Sequence, residues 1–285
     1  MKKLVALLMA FTLIFLALGC AGPSTNNNSG DINNDNSGSA SVVRADWEYI
    51  EGNGKMIVGI TYFEPMNYKD ATGKLVGFET EFTEAVCAKL GVTPVFQVID
   101  WNAKETELSS KNIDCIWNGM TITEERKQNM DLSVSYMDNR QVMVVRATDA
   151  EKYSDDENIA GASVVAEEGS TGEDLAKNDS LFADAQYTAL DAQTKALLEV
   201  KAGTADIALI DYTMALASTG EGTDYSDLAI INSDRFEAKG YAIAFRKGSP
   251  ETLAKVNGAI AELTADGTIG KIAQKYNLES LLLLK

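Results

Sequence analysis

From Met56 onward the apolar residues follow two rhythms, short runs or alternations and longer stretches spaced by three or four. The first predicts strands and the second helices, because side chains repeat every second residue along a strand and about every 3.6 around a helix. Met56 to Ile60 reads as a strand and Asp70 to Gly73 as a turn. Val76-Gly-Phe78 then leads into a helix through Leu90, carried by Phe82, Val86 and Leu90 and stopped by Gly91, the residue type that most easily takes the left-handed turn at a helix end. Val95 to Ile99 reads as a strand, Ala103 to Ser110 as a helix and Ile113 to Trp117 as a strand. This βαβαβ order is that of an open sheet covered by helices.

A second unit repeats it. Ala162 to Ala166, Gln186 to Leu190 and Ile207 to Ile210 are predicted strands, with helices over Ser170 to Lys177 and Ala192 to Lys201. The fold class is therefore α/β with two lobes. The chain returns through a strand over Tyr241 to Phe245, a helix from Glu251 to Ala265 and a last helix from Ile269 to Tyr276. Ser249-Pro250 is a helix start, since serine caps and proline loses no hydrogen bond at the first helical position.

The region before this pattern reads differently. Met1-Lys2-Lys3 and the apolar run Leu4 to Leu18 form an export signal over 1–19, too short for the roughly 20 apolar residues of a membrane span. Ala17-Leu18-Gly19-Cys20 resembles a bacterial lipobox, although that pattern prefers leucine and a small residue where Ala17 and Leu18 stand. The resemblance implies lipidation at Cys20 and anchoring to the outer face of the cell membrane; an ordinary signal cleaved nearby is the alternative. Residues 20–44 read as the cysteine followed by a polar tether, 22–39 being almost devoid of apolar side chains; such a tether raises the effective concentration of the folded body near a surface partner.

The net charge of −17, or −19 once Lys2 and Lys3 leave with the signal, repels phosphates and argues against a nucleic-acid partner. Histidine is absent, which excludes Ser-His-Asp triads and histidine-ligated zinc. No glycine spacing matches a nucleotide loop, and neither a metal nor a cofactor is expected. Cys87 and Cys115 are expected to be buried thiols, with a disulfide between them as the alternative open to an exported protein.

Four stretches carry a resemblance: "GKLVGFETEFTEAVCAKLGV" (73–92), "WNGMTITEERKQNMDLSVSYM" (117–137), "EVKAGTADIALID" (199–211) and "ADGTIGKIAQKY" (265–276). Together they resemble the family 3 extracytoplasmic solute-binding proteins of ABC importers, the receptors for polar amino acids. The resemblance implies a periplasmic-binding-protein-like fold: lobe 1 over 45–140 plus 236–285, lobe 2 over 141–235, each an open mixed sheet with flanking helices, joined by two hinge strands. It also implies a free polar amino acid as ligand, a permease and its ATPase subunit as partners, and a monomer.

An α-amino acid presents a carboxylate and an ammonium close together. Arginine suits the first, because its planar fork makes two parallel charge-assisted bonds and stays protonated. Arg126 matches the family's carboxylate-binding arginine; the bland reading is a solvated helix residue beside Glu124 and Glu125. The resemblance assigns the Gly119 carbonyl and Thr121 hydroxyl to the ammonium and the Thr121 amide to the carboxylate, with Asn118 in the same strand-end pocket. Ser170 and Thr171 match the second lobe's carboxylate contacts, and Asp211 its ammonium-binding aspartate. Helix caps at Thr123 and Ser170 and a turn at Asp211 are the structural alternatives. Phe63 and Trp101 match aromatic walls around the ligand side chain. Glu167 and Glu64 are candidates for selecting a side-chain cation or amide, unless both face solvent.

The implied mechanism is capture by closure, lobe 1 meeting the ligand first and lobe 2 closing over it. Two other readings remain at this point: an enzyme like cyclohexadienyl dehydratase, with Glu64 or Glu167 as general acid, and a ligand-sensing receptor, for which the chain carries no downstream domain.

Overall fold

The computed structural model describes residues 45–285; the export signal, Cys20 and the whole of the tether lie outside them. The chain begins with α1 (Ala45–Asn53), β1 (Lys55–Ile60), the short pair β2 (Tyr68–Lys69) and β3 (Leu75–Val76), α2 (Phe78–Leu90) and β4 (Thr93–Val98). It continues with α3 (Lys104–Ser109), β5 (Cys115–Ile116), α4 (Glu124–Asn129), β6 (Met130–Leu132) and β7 (Met137–Asn139). Next come β8 (Gln141–Arg146), α5 (Ala150–Tyr153), β9 (Ser163–Glu167), α6 (Thr171–Asn178), β10 (Gln186–Leu190) and α7 (Gln193–Ala202). The last elements are β11 (Ile207–Asp211), α8 (Tyr212–Ser218), β12 (Leu228–Ile231), β13 (Lys239–Tyr241), β14 (Ala244–Arg246), α9 (Pro250–Ala265) and α10 (Thr268–Lys275).

These strands form two five-stranded mixed sheets of matching design. The first has the order β4-β1-β5-β14-β6 and the second β10-β9-β11-β8-β12. In each, the first three strands are parallel and the last two pairings antiparallel. Between the sheets the chain crosses at β7 and returns at β13, and these two strands pair antiparallel, Met137 opposite Tyr241 and Asn139 opposite Lys239.

Several predicted elements shift for physical reasons. The predicted strand Ile113–Trp117 has its ladder over Cys115 and Ile116, with the Asp114 and Trp117 amides donating to the Ile57 and Gly59 carbonyls at either end, and the backbone turns away at Gly119, whose φ is +56°. The predicted strand Tyr241–Phe245 divides between β13 and β14, which serve different sheets. Ser249 does not cap α9; its hydroxyl donates instead to Asp46 at 2.8 Å. Gly91 does end α2, at φ 72°.

Cys87 and Cys115 are buried free thiols, and burial pushes the Cys87 thiol up to about 12, so neither is a reactive nucleophile. No helix among the described residues is long and apolar enough to cross a membrane.

Candidate functional site

The carboxyl ends of β1, β5, β9 and β11 converge on one cavity, the place where parallel strands expose the backbone groups of their loops. Thr61, Tyr62 and Phe63 follow β1, and Asn118, Gly119 and Thr121 follow β5. Glu167 ends β9, Ser170 and Thr171 open α6, and Asp211 ends β11.

The β5 loop is held from beneath. Glu79, fully buried on α2, accepts from the Gly119 amide and from Asn67 Nδ2, each at 2.8 Å, and from the Tyr136 hydroxyl. The Asn118 side chain is engaged with the β1 end, its Oδ1 accepting from the Thr61 amide at 2.9 Å and its Nδ2 donating to Thr61 Oγ1 at 2.7 Å. A buried polar network of this kind fixes a single backbone path once its members are paired. At Gly119 the requirement is doubled, since a Cβ there would also stand 2.6 Å from Phe63 Cε1.

Thr123 caps α4 by accepting from the Arg126 amide at 3.2 Å. One turn in, Arg126 is 6% exposed, donating from Nη1 to the Thr121 carbonyl at 2.9 Å and from Nη2 to the Gly169 carbonyl at 3.4 Å. No carboxylate of the described residues pairs with its guanidinium, and burial lowers its pKa. A desolvated guanidinium with only carbonyl partners has unused capacity for an anion.

The opposite wall has the opposite sign. Asp211 accepts from Gln141 Nε2 at 2.8 Å and from the amides of Asn139 and Gln193. All three donors are neutral, so burial leaves its carboxyl raised. Glu167 is 5% exposed, and burial with the nearby charge of Asp211 pushes it up to about 8. Ser170 combines both sequence readings: its hydroxyl accepts from the Glu173 amide at 3.1 Å as the cap of α6 while the residue lines the cavity. Phe63 and Trp101 are 4% and 5% exposed and complete the lining with Met214.

Ten of the eleven candidate residues thus meet at one cavity: Phe63, Trp101, Asn118, Gly119, Thr121, Arg126, Glu167, Ser170, Thr171 and Asp211. Glu64 does not. The chain folds back there, Met66 and Asn67 amides donating to the Phe63 carbonyl, and Glu64 is left exposed on the outside of that turn. Thr61, Tyr62, Gln193 and Met214 also line the cavity and were not anticipated. Gln193 gives no local signal, because its role depends on Asp211, 18 residues away. Glu79 had one: it lies on the stripe that also carries Phe82, Val86 and Leu90.

Residues 56–279 match the family of bacterial extracellular solute-binding proteins, family 3. The L-cystine-binding protein TcyJ of Escherichia coli (strain K12) is 29% identical over 230 residues, 80% of this chain and 84% of that protein. The arginine-binding extracellular protein ArtP of Bacillus subtilis (strain 168) is 29% identical over 97% of this chain and 98% of its own. Among solved structures, an ABC uptake transporter substrate-binding protein from Streptococcus pneumoniae with bound histidine superposes with a TM-score of 0.74 at 29% identity, covering 84% of this chain and 98% of that one. With the mixed sheets, the paired crossing strands and this cavity, the match establishes that the chain belongs to the bacterial extracellular solute-binding proteins of family 3.

Proposed function

We propose that this protein is the receptor of an ABC importer and captures an amino acid with a cationic side chain. The observation that carries the reading is the cavity's charge pattern: one buried guanidinium on one wall and two buried carboxyl groups on the other, none of the three in a salt bridge among the described residues, with the Lys104 ammonium near Glu167 bonded to carbonyls instead. A ligand carboxylate satisfies Arg126, its ammonium satisfies Asp211, and Glu167 is left for a second positive group between Phe63 and Trp101. Aromatic walls add about 0.5–2 kcal/mol for a cation. Relatives that bind arginine and histidine support this choice. Lobe 1 (45–140 plus 236–285) and lobe 2 (141–235) then close about β7 and β13, and a permease takes up the closed, monomeric receptor, which Cys20 tethers to the membrane.

No turnover is expected, since every buried carboxylate of the cavity has a binding role; product formed from prephenate or arogenate by purified protein would overturn this. Native mass spectrometry followed by calorimetry against the common amino acids tests the ligand. Arginine or lysine is expected to bind, and failure of every amino acid would refute the receptor reading itself. If only neutral amino acids bind, the cationic assignment falls and the receptor stands. Glu167→Gln is expected to weaken the cationic ligand about thirtyfold, about 2 kcal/mol, with little change for glutamine.

A further inference from the structure

The turn after β9 and the start of α3 come from different lobes and meet at one atom. The Gly169 carbonyl accepts from Lys104 Nζ at 2.9 Å and from Arg126 Nη2 at 3.4 Å. Lys104 is 5% exposed, donates also to the Trp101 carbonyl at 3.2 Å, and lies over the Trp101 ring at 4.9 Å from its centroid. Gly169 has φ +71°, and a Cβ there would stand 3.1 Å from Asn102 Oδ1 and 3.2 Å from both Asn102 Cα and Lys104 Nζ. The turn is thus shaped to bring this carbonyl against lobe 1.

Lys104 lies outside the cavity lining and forms no salt bridge among the described residues. A buried ammonium held by two carbonyls and a ring has been stripped of water. The contacts to Trp101 lie within one lobe, whereas the bond to Gly169 spans the cleft between the two. Opening breaks the bond to Gly169 and rehydrates the ammonium, whereas a ligand arriving at the open cleft does not need the bond.

We infer that Lys104 is a closure latch: its ammonium grips the Gly169 carbonyl across the cleft and sets how long the closed receptor holds its ligand. The residue positions the lobes and does not itself recognise the amino acid. Because the bond forms after capture, its loss falls on dissociation and spares association.

The latch also has a pH sign. Burial, with the positive charge of Arg126, lowers Lys104 to about 8, against the opposing charges of Glu105, Glu167 and Asp174. Loss of its proton weakens a charge-assisted bond, so release quickens as pH rises through that value. Glu167 titrates in the same range, so the comparison is cleanest in Glu167→Gln.

The inference rests on ligand capture in this cleft, so the ligand is first identified by calorimetry on the wild type. Stopped-flow fluorescence then follows binding and release. Lys104→Met is expected to shorten the residence time about tenfold, with the association rate within twofold and the ligand-free melting temperature unchanged; Lys104→Arg restores part of the loss. A residence time within twofold of wild type in a folded Lys104→Met, or a loss confined to association, overturns the latch. If Lys104→Met does not fold, Glu167→Gln is compared with Glu167→Gln/Lys104→Arg, whose guanidinium does not titrate in this range: release that quickens between about pH 7 and 9.5 more steeply with the lysine supports the latch, and parallel profiles refute it. Absence of binding in the wild type would instead strike the receptor reading.

Discussion

Arg126→Ala is expected to weaken the identified ligand about a thousandfold, about 4 kcal/mol, by calorimetry at pH 7. The guanidinium is buried, and its only hydrogen-bond partners among the described residues are two backbone carbonyls. A ligand carboxylate therefore gains two charge-assisted bonds without displacing an existing ion pair. The same geometry predicts a small effect on the empty protein. Removing a buried cation that lacks an anion relieves desolvation, so the ligand-free melting temperature should stay level or rise. Arg126→Lys is expected to recover only part of the affinity, since an ammonium cannot make two parallel bonds. Affinity retained within tenfold in Arg126→Ala would show that the ligand carboxylate lies elsewhere.

The second large effect concerns stability and falls on Glu79. Burial raises its carboxyl to about 7, against the opposing hydrogen bonds from Tyr136, Gly119 and Asn67. Between the ordinary carboxylate value of 4.5 and about 7, the folded protein keeps a proton that the unfolded chain has released. The stability from this group is therefore complete below pH 4.5, falls as pH climbs through 7, and stays lost above it. The span corresponds to about 3 kcal/mol. Urea unfolding of the ligand-free protein at pH 4.5 and 8 should show wild type losing about that much more than Glu79→Gln. The variant itself should cost about 1–2 kcal/mol at the lower pH, because its amide meets the Asn67 amide. Equal losses in the two proteins would place the titrating group elsewhere. Glu167 and Asp211 have the same sign, but both remain in the variant, so the difference isolates Glu79.

That a carboxyl group buried so deeply on α2 bears on the site follows from its bond to the Gly119 amide. The loop that presents the Gly119 backbone and Thr121 to the cavity is thus supported by a group in the helix below it. A glutamate on the apolar stripe of α2 is visible in the sequence as an anomaly. What it supports is not visible, because Gly119 lies 40 residues further on.

The sequence by itself determined what local spacing can encode. Apolar periodicity placed α2, and β10 runs over the predicted span Gln186–Leu190. Thr123 and Ser170 cap the helices they precede, since a cap is a contact across three residues. The stretch 117–126 was legible as a strand end followed by a helix carrying Arg126, and the motif resemblance extended that to ten residues of one cavity. Tertiary structure decided everything that depends on a partner distant along the chain. It sent β13 and β14 to different sheets, turned Glu64 outward, gave the Ser249 hydroxyl to Asp46, and brought Gln193 to Asp211. It also set Lys104 against Gly169, 65 residues away. Periodicity records which face of an element is apolar, whereas a buried charge takes its meaning from whatever the fold places opposite it.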